Sequence, residues 1–159
     1  MKRDGFTIIE LLVVVVIAAA IVAALCMFDS VRENWKRCAL NLVALGHAMN
    51  VYAGEHKQLF PSSDKWCDLL LEHTDVDEER FKCPAGGEGR SHYAMNPNAE
   101  PNSPGDVVLL FETKGGWNQS GGPEILSITN HFERGCNVCF VDGHGERVKA
   151  KDIDKLKWK

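Results

Sequence analysis

The sequence has no basic excess. Its 18 Lys and Arg are outnumbered by 22 Asp and Glu, a formal net charge of -4 at pH 7. A nucleic-acid binder normally carries a basic patch, so that class of partner is set aside. No repeat with a period of 20–50 residues is present, which excludes a solenoid or propeller. Poverty in aromatic or apolar residues, the mark of a disordered chain, is also missing: 7 Phe, 4 Trp and 2 Tyr accompany 25% charged residues. Proline does not occur in residues 1–60, so nothing there bars a long continuous helix. Six cysteines in 159 residues are too few for a disulfide miniprotein and too many for a chain that avoids the residue.

What is present is uneven. The 45% apolar content is concentrated in residues 6–28, FTIIELLVVVVIAAAIVAALCMF, where only Thr7 and Glu10 are polar. Residues 11–28 are apolar without a break, about 27 Å of helix, and residues 6–28 span roughly 34 Å against a hydrocarbon core of about 30 Å. A membrane helix is the direct reading. A cleaved secretory signal is the competitor, but it has an apolar core of about 7–15 residues and a small-residue cleavage site. A lipoprotein site at Cys26 is disfavoured by the bulky Leu25 before it. With the segment set aside, the remaining length allows one modest domain.

The flanks are more specific. A short charged leader, MKRDG, precedes an aromatic residue, and one carboxylate, Glu10, lies inside the apolar stretch. This resembles the type III signal of type IV pilins and type II secretion pseudopilins over about the first 28 residues. The resemblance implies cleavage after Gly5 by a prepilin peptidase, N-methylation of Phe6, and a role for Glu10 in assembly, where it meets the N-terminal amine of a neighbouring subunit. It also implies other pilin or pseudopilin subunits and an inner-membrane assembly platform as partners. Glycine before the cut offers no Cβ to obstruct a peptidase. A carboxylate near a bilayer interior costs a few kcal/mol, so Glu10 needs a partner, unless it snorkels to the interface. Lys2 and Arg3 before the segment are balanced by Arg32, Lys36 and Arg37 after it. The positive-inside rule is therefore undecided, and a cytoplasmic N-terminus with a periplasmic head follows from the resemblance alone.

Beyond the membrane segment, Val31, Trp35, Cys38, Leu42, Leu45, Met49 and Tyr52 recur at spacings of four and three, an apolar stripe on one helical face. One helix over about residues 6–53 is expected, with Gly54 as C-cap and Pro61 barring continuation. Packing on the following domain accounts for the stripe better than a coiled-coil seam of three heptads. Residues 64–73 read as a short helix and 83–105 as loop. Residues 106–113, 124–129, 136–141 and 146–149 read as short strands, with Asp142-Gly143 as a tight hairpin turn. The expected fold is α+β and pilin-like: a long N-terminal helix, half transmembrane and half amphipathic, packed on an antiparallel sheet of 3–4 strands. The expected division is a leader at 1–5, a membrane or filament-core helix at 6–28 and a head at 29–159. Within the head, 29–54 is amphipathic helix, 55–105 connecting region and 106–150 sheet.

A second resemblance lies in the tail. FKCPAG, SHYAMN, LLFETKGGWN and NHFERGCNVCFVDGHGERV are similar to segments of planctomycete-type pilin-like proteins, which end in a histidine, a nine-residue gap and Asp-Gly. Here ten residues separate His131 from Asp142.

In an oxidising compartment the cysteines can pair. Cys26 is a small apolar residue of the membrane helix. Cys67 and Cys83 are the preferred disulfide, closing a loop of about 17 residues worth about 3 kcal/mol; Cys38, Cys136 and Cys139 have no evident partner. His131, Cys136, Cys139 and His144 offer a zinc ligand set on paper. However, Cys136 and Cys139 lie three apart on an expected strand and so point to opposite faces. Asp142, Glu146, Asp152 and Asp154 are too dispersed for a calcium loop. His131, Asp142, Ser127 and Ser120 have no flanking motif to support a catalytic triad. The expectation is therefore a structural subunit of a pilus or secretion pseudopilus, without catalytic residues or cofactor. The rivals are a membrane-anchored binding or metal-binding module that does not polymerise, and a metal-dependent periplasmic enzyme.

Overall fold

The protein is described by a computed structural model over residues 7–159. Its first element, α1, is a helix of 48 residues, Ile8–Glu55, lying wholly within the proline-free stretch. The chain divides into two compact units, Met1–Glu33 and Asn34–Lys159. In the first, the described helical side chains are exposed, including Ile8, Leu12, Val16, Ile21 and Phe28, except Val31 at the start of the stripe, which is half-buried. An 18-residue window there reaches a mean hydropathy of 3.2, long and apolar enough to cross a membrane.

In the second unit the stripe of α1 is buried: Trp35, Cys38, Leu42, Leu45, Met49 and Tyr52 all face the core. Leu42, Leu45 and Met49 are fully buried, each worth about 1.5–3 kcal/mol. Their partners are on a four-stranded antiparallel sheet in the order β1-β2-β3-β4: β1 Tyr93–Met95, β2 Val108–Glu112, β3 Gly135–Phe140 and β4 Gly145–Lys149. A second helix, α2 (Trp66–His73), adds Trp66, Cys67 and Leu70 to the same core. Contact between α1 and β3 is close enough that a Cβ on Gly46 would stand 2.3 Å from Cys139 Sγ. This is the α+β layout of a pilin-like fold.

The sheet is apolar on both faces, which is why residues 107–111 read VVLLF without alternation. A register shift between Val108 and Leu110 puts Leu109 and Leu110 together on the α1 side, while Val108 and Phe111 join Cys136, Val138, Phe140 and Val148 on the other. The C-terminal tail covers that second face. Lys157 C=O accepts from Val108 N–H at 2.9 Å, and Trp158 meets Phe111 edge-on at 4.9 Å.

Three local expectations need correction. Residues 124–129 are not a strand but two 3-10 turns, Pro123–Ile125 and Thr129–His131. Both edges of β2 are already taken, by β1 and β3. The strand in that place is β1, three residues inside a segment read as loop; all three are buried, and so short a run shows no period of two. Gly54 stays helical rather than capping α1. Lys57 and Gln58 take the left-handed conformation instead, with Gln58 N–H donating to Ala53 C=O at 2.9 Å. The Asp142-Gly143 turn is present between β3 and β4, with Gly143 at φ 89.

Candidate functional site

Two places carry chemistry. The first is the start of α1. Thr7 C=O accepts the first helical bond, from Leu11 N–H at 3.1 Å, which makes Thr7 the N-cap. Its hydroxyl accepts from Glu10 N–H at 3.3 Å, and Glu10 Oε2 accepts from Thr7 N–H at 2.8 Å and Thr7 Oγ1–H at 2.9 Å. Thr7-Ile8-Ile9-Glu10 is thus a capping box, a pattern visible in the sequence but not read there. The carboxylate singled out for assembly has a local role as well, and its Oε1 is not used in the box. Gly5 and Phe6, the expected cleavage and methylation positions, lie outside the described residues.

The second place is a buried polar cluster within the head. Cys38 of α1 is bonded to Cys83, 45 residues on, so the expected Cys67–Cys83 pair is wrong. Packing supplies the reason. Asn41 Nδ2 donates to Lys82 C=O at 2.9 Å, and Cys83 N–H donates to His92 Nδ1 at 3.2 Å, bringing Cys83 against α1. Cys67 is a buried free thiol on α2, tied elsewhere: its N–H donates to Asn118 Oδ1 at 2.8 Å and its Sγ accepts from Asn118 N–H at 3.4 Å. Burial pushes its pKa up to about 12.

Beside the disulfide lie Glu112, at the end of β2, and His131, both fully or almost fully buried. His131 Nε2 is 2.9 Å from Glu112 Oε1 and 3.8 Å from Cys83 Sγ. Asn137 of β3 donates its N–H to Glu112 Oε2 at 3.0 Å and its Nδ2 to Oε1 at 2.9 Å. Asn137 Oδ1 in turn accepts from Trp35 Nε1–H at 2.9 Å. The Trp35 ring stacks on His131 with centroids 4.3 Å apart, and Arg147 lies over the same indole at 3.4 Å. Cys38, Cys83, Glu112 and His131 each present a donor atom within 4.8 Å of the other three. Glu112 was missed in the sequence; its signal is a lone carboxylate closing the continuous apolar run of a strand.

The zinc set that the sequence offers on paper, and that strand alternation argued against, is not brought together. Cys136 faces the tail side of the sheet and Cys139 the α1 side, each pushed up to about 12 by burial. His131 serves Glu112. His144 is exposed on the hairpin, bonded to Asp142 and stacked on Phe140 at 4.3 Å. No triad forms either, since Asp142 is engaged by His144 and Ser127 by Thr129. The backbone N–H of His144, ahead of its ring, holds the Asp142 carboxyl below the usual range. Asp152 pairs with Lys155.

Residues 1–25 match the model of the prokaryotic N-terminal methylation motif. No curated protein and no solved structure matches the chain. That motif at the head of a long apolar helix supports a pilin-like precursor, and the helix, long and apolar enough to cross a membrane, fits a single-pass anchor. The motif ends ahead of the head and tail.

Proposed function

We propose that the chain is a pilin or pseudopilin subunit, inserted with its N-terminus in the cytoplasm, cut after Gly5, methylated on Phe6 and assembled through α1 into a type IV pilus or type II secretion pseudopilus. The observation carrying this reading is the methylation motif over residues 1–25 on a helix whose apolar side chains are exposed. Residues 11–28 hold eleven Leu, Ile, Val and Phe, together worth about 3–7 kcal/mol toward membrane insertion. Leaving the bilayer exposes that surface again, and neighbouring helices of the same kind are the covering it needs. A prepilin peptidase and an inner-membrane platform are the partners this requires; the head then lies in the periplasm or in a filament.

The capping box sharpens the test of Glu10. Glu10→Ala removes both the charge and the box, whereas Glu10→Gln keeps the box and removes only the charge. Both variants are expected to be cleaved, and both to be absent from sheared filaments when coexpressed with peptidase and assembly machinery. Incorporation of Glu10→Gln at the wild-type level would show that the cap, not the charge, matters. Normal incorporation of both would remove Glu10 from assembly. Gly5→Glu should leave the leader attached, and a mature mass equal to wild type would refute cleavage at that position.

A further inference from the structure

We propose that the head has a zinc-type metal site at Cys38 Sγ, Cys83 Sγ, His131 Nε2 and Glu112, and that metal and disulfide are alternative fillings of it. A disulfide alone needs neither an imidazole nor a carboxylate beside it. Here both are supplied, fully or almost fully buried, where an ionised carboxylate is costly unless a cation or several donors answer it. The four donor atoms already lie within 4.8 Å of one another. Around a tetrahedral zinc with bonds of about 2.0–2.3 Å they would stand roughly 3.3–3.8 Å apart. His131 Nε2 is the pivot, at 3.8 Å from Cys83 Sγ and 2.9 Å from Glu112 Oε1. Reduction and a side-chain rotation that parts the two sulfurs open the centre.

The surroundings are those of a ligand set held from behind. Asn137 fixes both oxygens of Glu112, Trp35 Nε1–H fixes Asn137, and the Trp35 ring fixes the plane of His131. A surface groove lined by Lys82, Cys83, Gly86, Gly87 and His92 borders the Cys83 edge of the cluster.

The steps balance. A dithiol reductant passes two electrons and two protons to the Cys38–Cys83 bond, leaving two thiols and becoming a disulfide itself. Zinc then binds two thiolates, the Glu112 carboxylate and His131 Nε2, releasing two thiol protons to solvent, while the imidazole proton sits on Nδ1. In the other direction, a disulfide oxidant takes two electrons from the thiolates and, with two protons, becomes a dithiol; the Cys38–Cys83 bond re-forms and the ion leaves. The nascent, unoxidised head would thus fold around a metal before the disulfide replaces it.

The test uses the full chain in detergent, reduced anaerobically and titrated with Zn2+, or with Co2+ as a spectroscopic probe. One ion per chain by native mass spectrometry is expected, with a sulfur-to-cobalt charge-transfer band and tetrahedral visible bands; the oxidised chain should take none. The variant Cys67→Ser/Cys136→Ser/Cys139→Ser should keep the ion. Cys38→Ser should lose the charge-transfer intensity of one thiolate and bind more than a hundredfold more weakly, Glu112→Gln and His131→Ala at least tenfold more weakly, and Asn137→Ala about 10–100-fold more weakly. Circular dichroism of the oxidised Glu112→Gln and His131→Ala forms reports their folding separately. If reduction unfolds the head, Zn2+ must restore its near-UV signal. Failure to restore it, equal uptake by oxidised and reduced chains, or unchanged affinity in both Glu112→Gln and His131→Ala would overturn the proposal.

Discussion

Removing the Cys38–Cys83 bond should be the most damaging pair of conservative substitutions in the head. The bond closes a separation of 45 residues. In the chain-entropy model that restricts the unfolded chain by about 4 kcal/mol. For a unit the size of Asn34–Lys159, each kcal/mol moves Tm by roughly 3–5 °C, so Cys38→Ser/Cys83→Ser should lower Tm by roughly 12–20 °C. The assay is thermal unfolding of the oxidised full chain in detergent with a chelator present, followed by near-UV circular dichroism. Cys67→Ala is the control. It removes a buried thiol without opening a loop and should cost only about 1 kcal/mol. Connectivity is checked independently by tryptic digestion without reductant. Cleavage after Arg37, Lys57, Lys82 and Arg90 should release peptide 38–57 joined to peptide 83–90, with Cys67 unlinked in peptide 66–80. A Tm change of less than about 3 °C in the double variant, or a peptide joining Cys67 to Cys83, would refute the reasoning.

Other outcomes follow from the packing. Gly46→Ala forces a Cβ to 2.3 Å from Cys139 Sγ and should destabilise the head by about 1–3 kcal/mol, whereas Gly54→Ala meets open space and should stabilise it by about 0.5–1 kcal/mol; equal denaturation midpoints for the two would contradict the close α1–β3 approach. Cys67, Cys136 and Cys139 are buried, with pKa values pushed up to about 12, so at pH 8 only about one in ten thousand of each is thiolate. Native alkylation should leave these three unmodified and denaturation should expose all three, as read by intact mass. The Asp68 carboxylate accepts from Asn118 Nδ2 and Trp117 Nε1, which hold its pKa below the ordinary 3.8. Its contribution is therefore complete above that value and lost as pH falls through the lower, folded-state value. Asp68→Asn should lower Tm at neutral pH, with the gap to wild type closing only in strong acid; a gap that widened on acidification would reverse the sign.

Much of the frame was legible because it rests on local rules. The stripe from Trp35 to Tyr52 is a period that only a helix places on one face, and Asp142-Gly143 is a turn that glycine makes possible at φ 89. The opposite orientation of Cys136 and Cys139 follows from the alternation of any strand. What could not be read is what depends on docking. Cys38 meets Cys83 because Asn41 and His92 bring residues 82 and 83 to α1, and no spacing along the chain encodes that meeting. Tyr93–Met95 is a strand only because β2 offers it an edge. His131 was visible as part of a tail pattern, but its partner Glu112, on a different element, was not.

The buried cluster also states what the sheet and α1 must agree on. Trp35 and Cys38 are the first two buried residues of α1, and each reaches a different element: Trp35 to Asn137 of β3, Cys38 to the loop at Cys83. Glu112 comes from β2 and His131 from the turn before β3. Five segments therefore contribute one polar group each or a pair, and a slip of one residue in β2 or β3 would turn Glu112 or Asn137 to the other face. A slip of one residue in α1 would rotate Cys38 by about 100° away from Cys83. Apolar contacts alone tolerate such errors better, because Leu42 or Leu45 can repack against many neighbours, whereas an unpaired buried carboxylate or indole N–H cannot. The cluster thus fixes the register in which the amphipathic part of α1 meets the sheet.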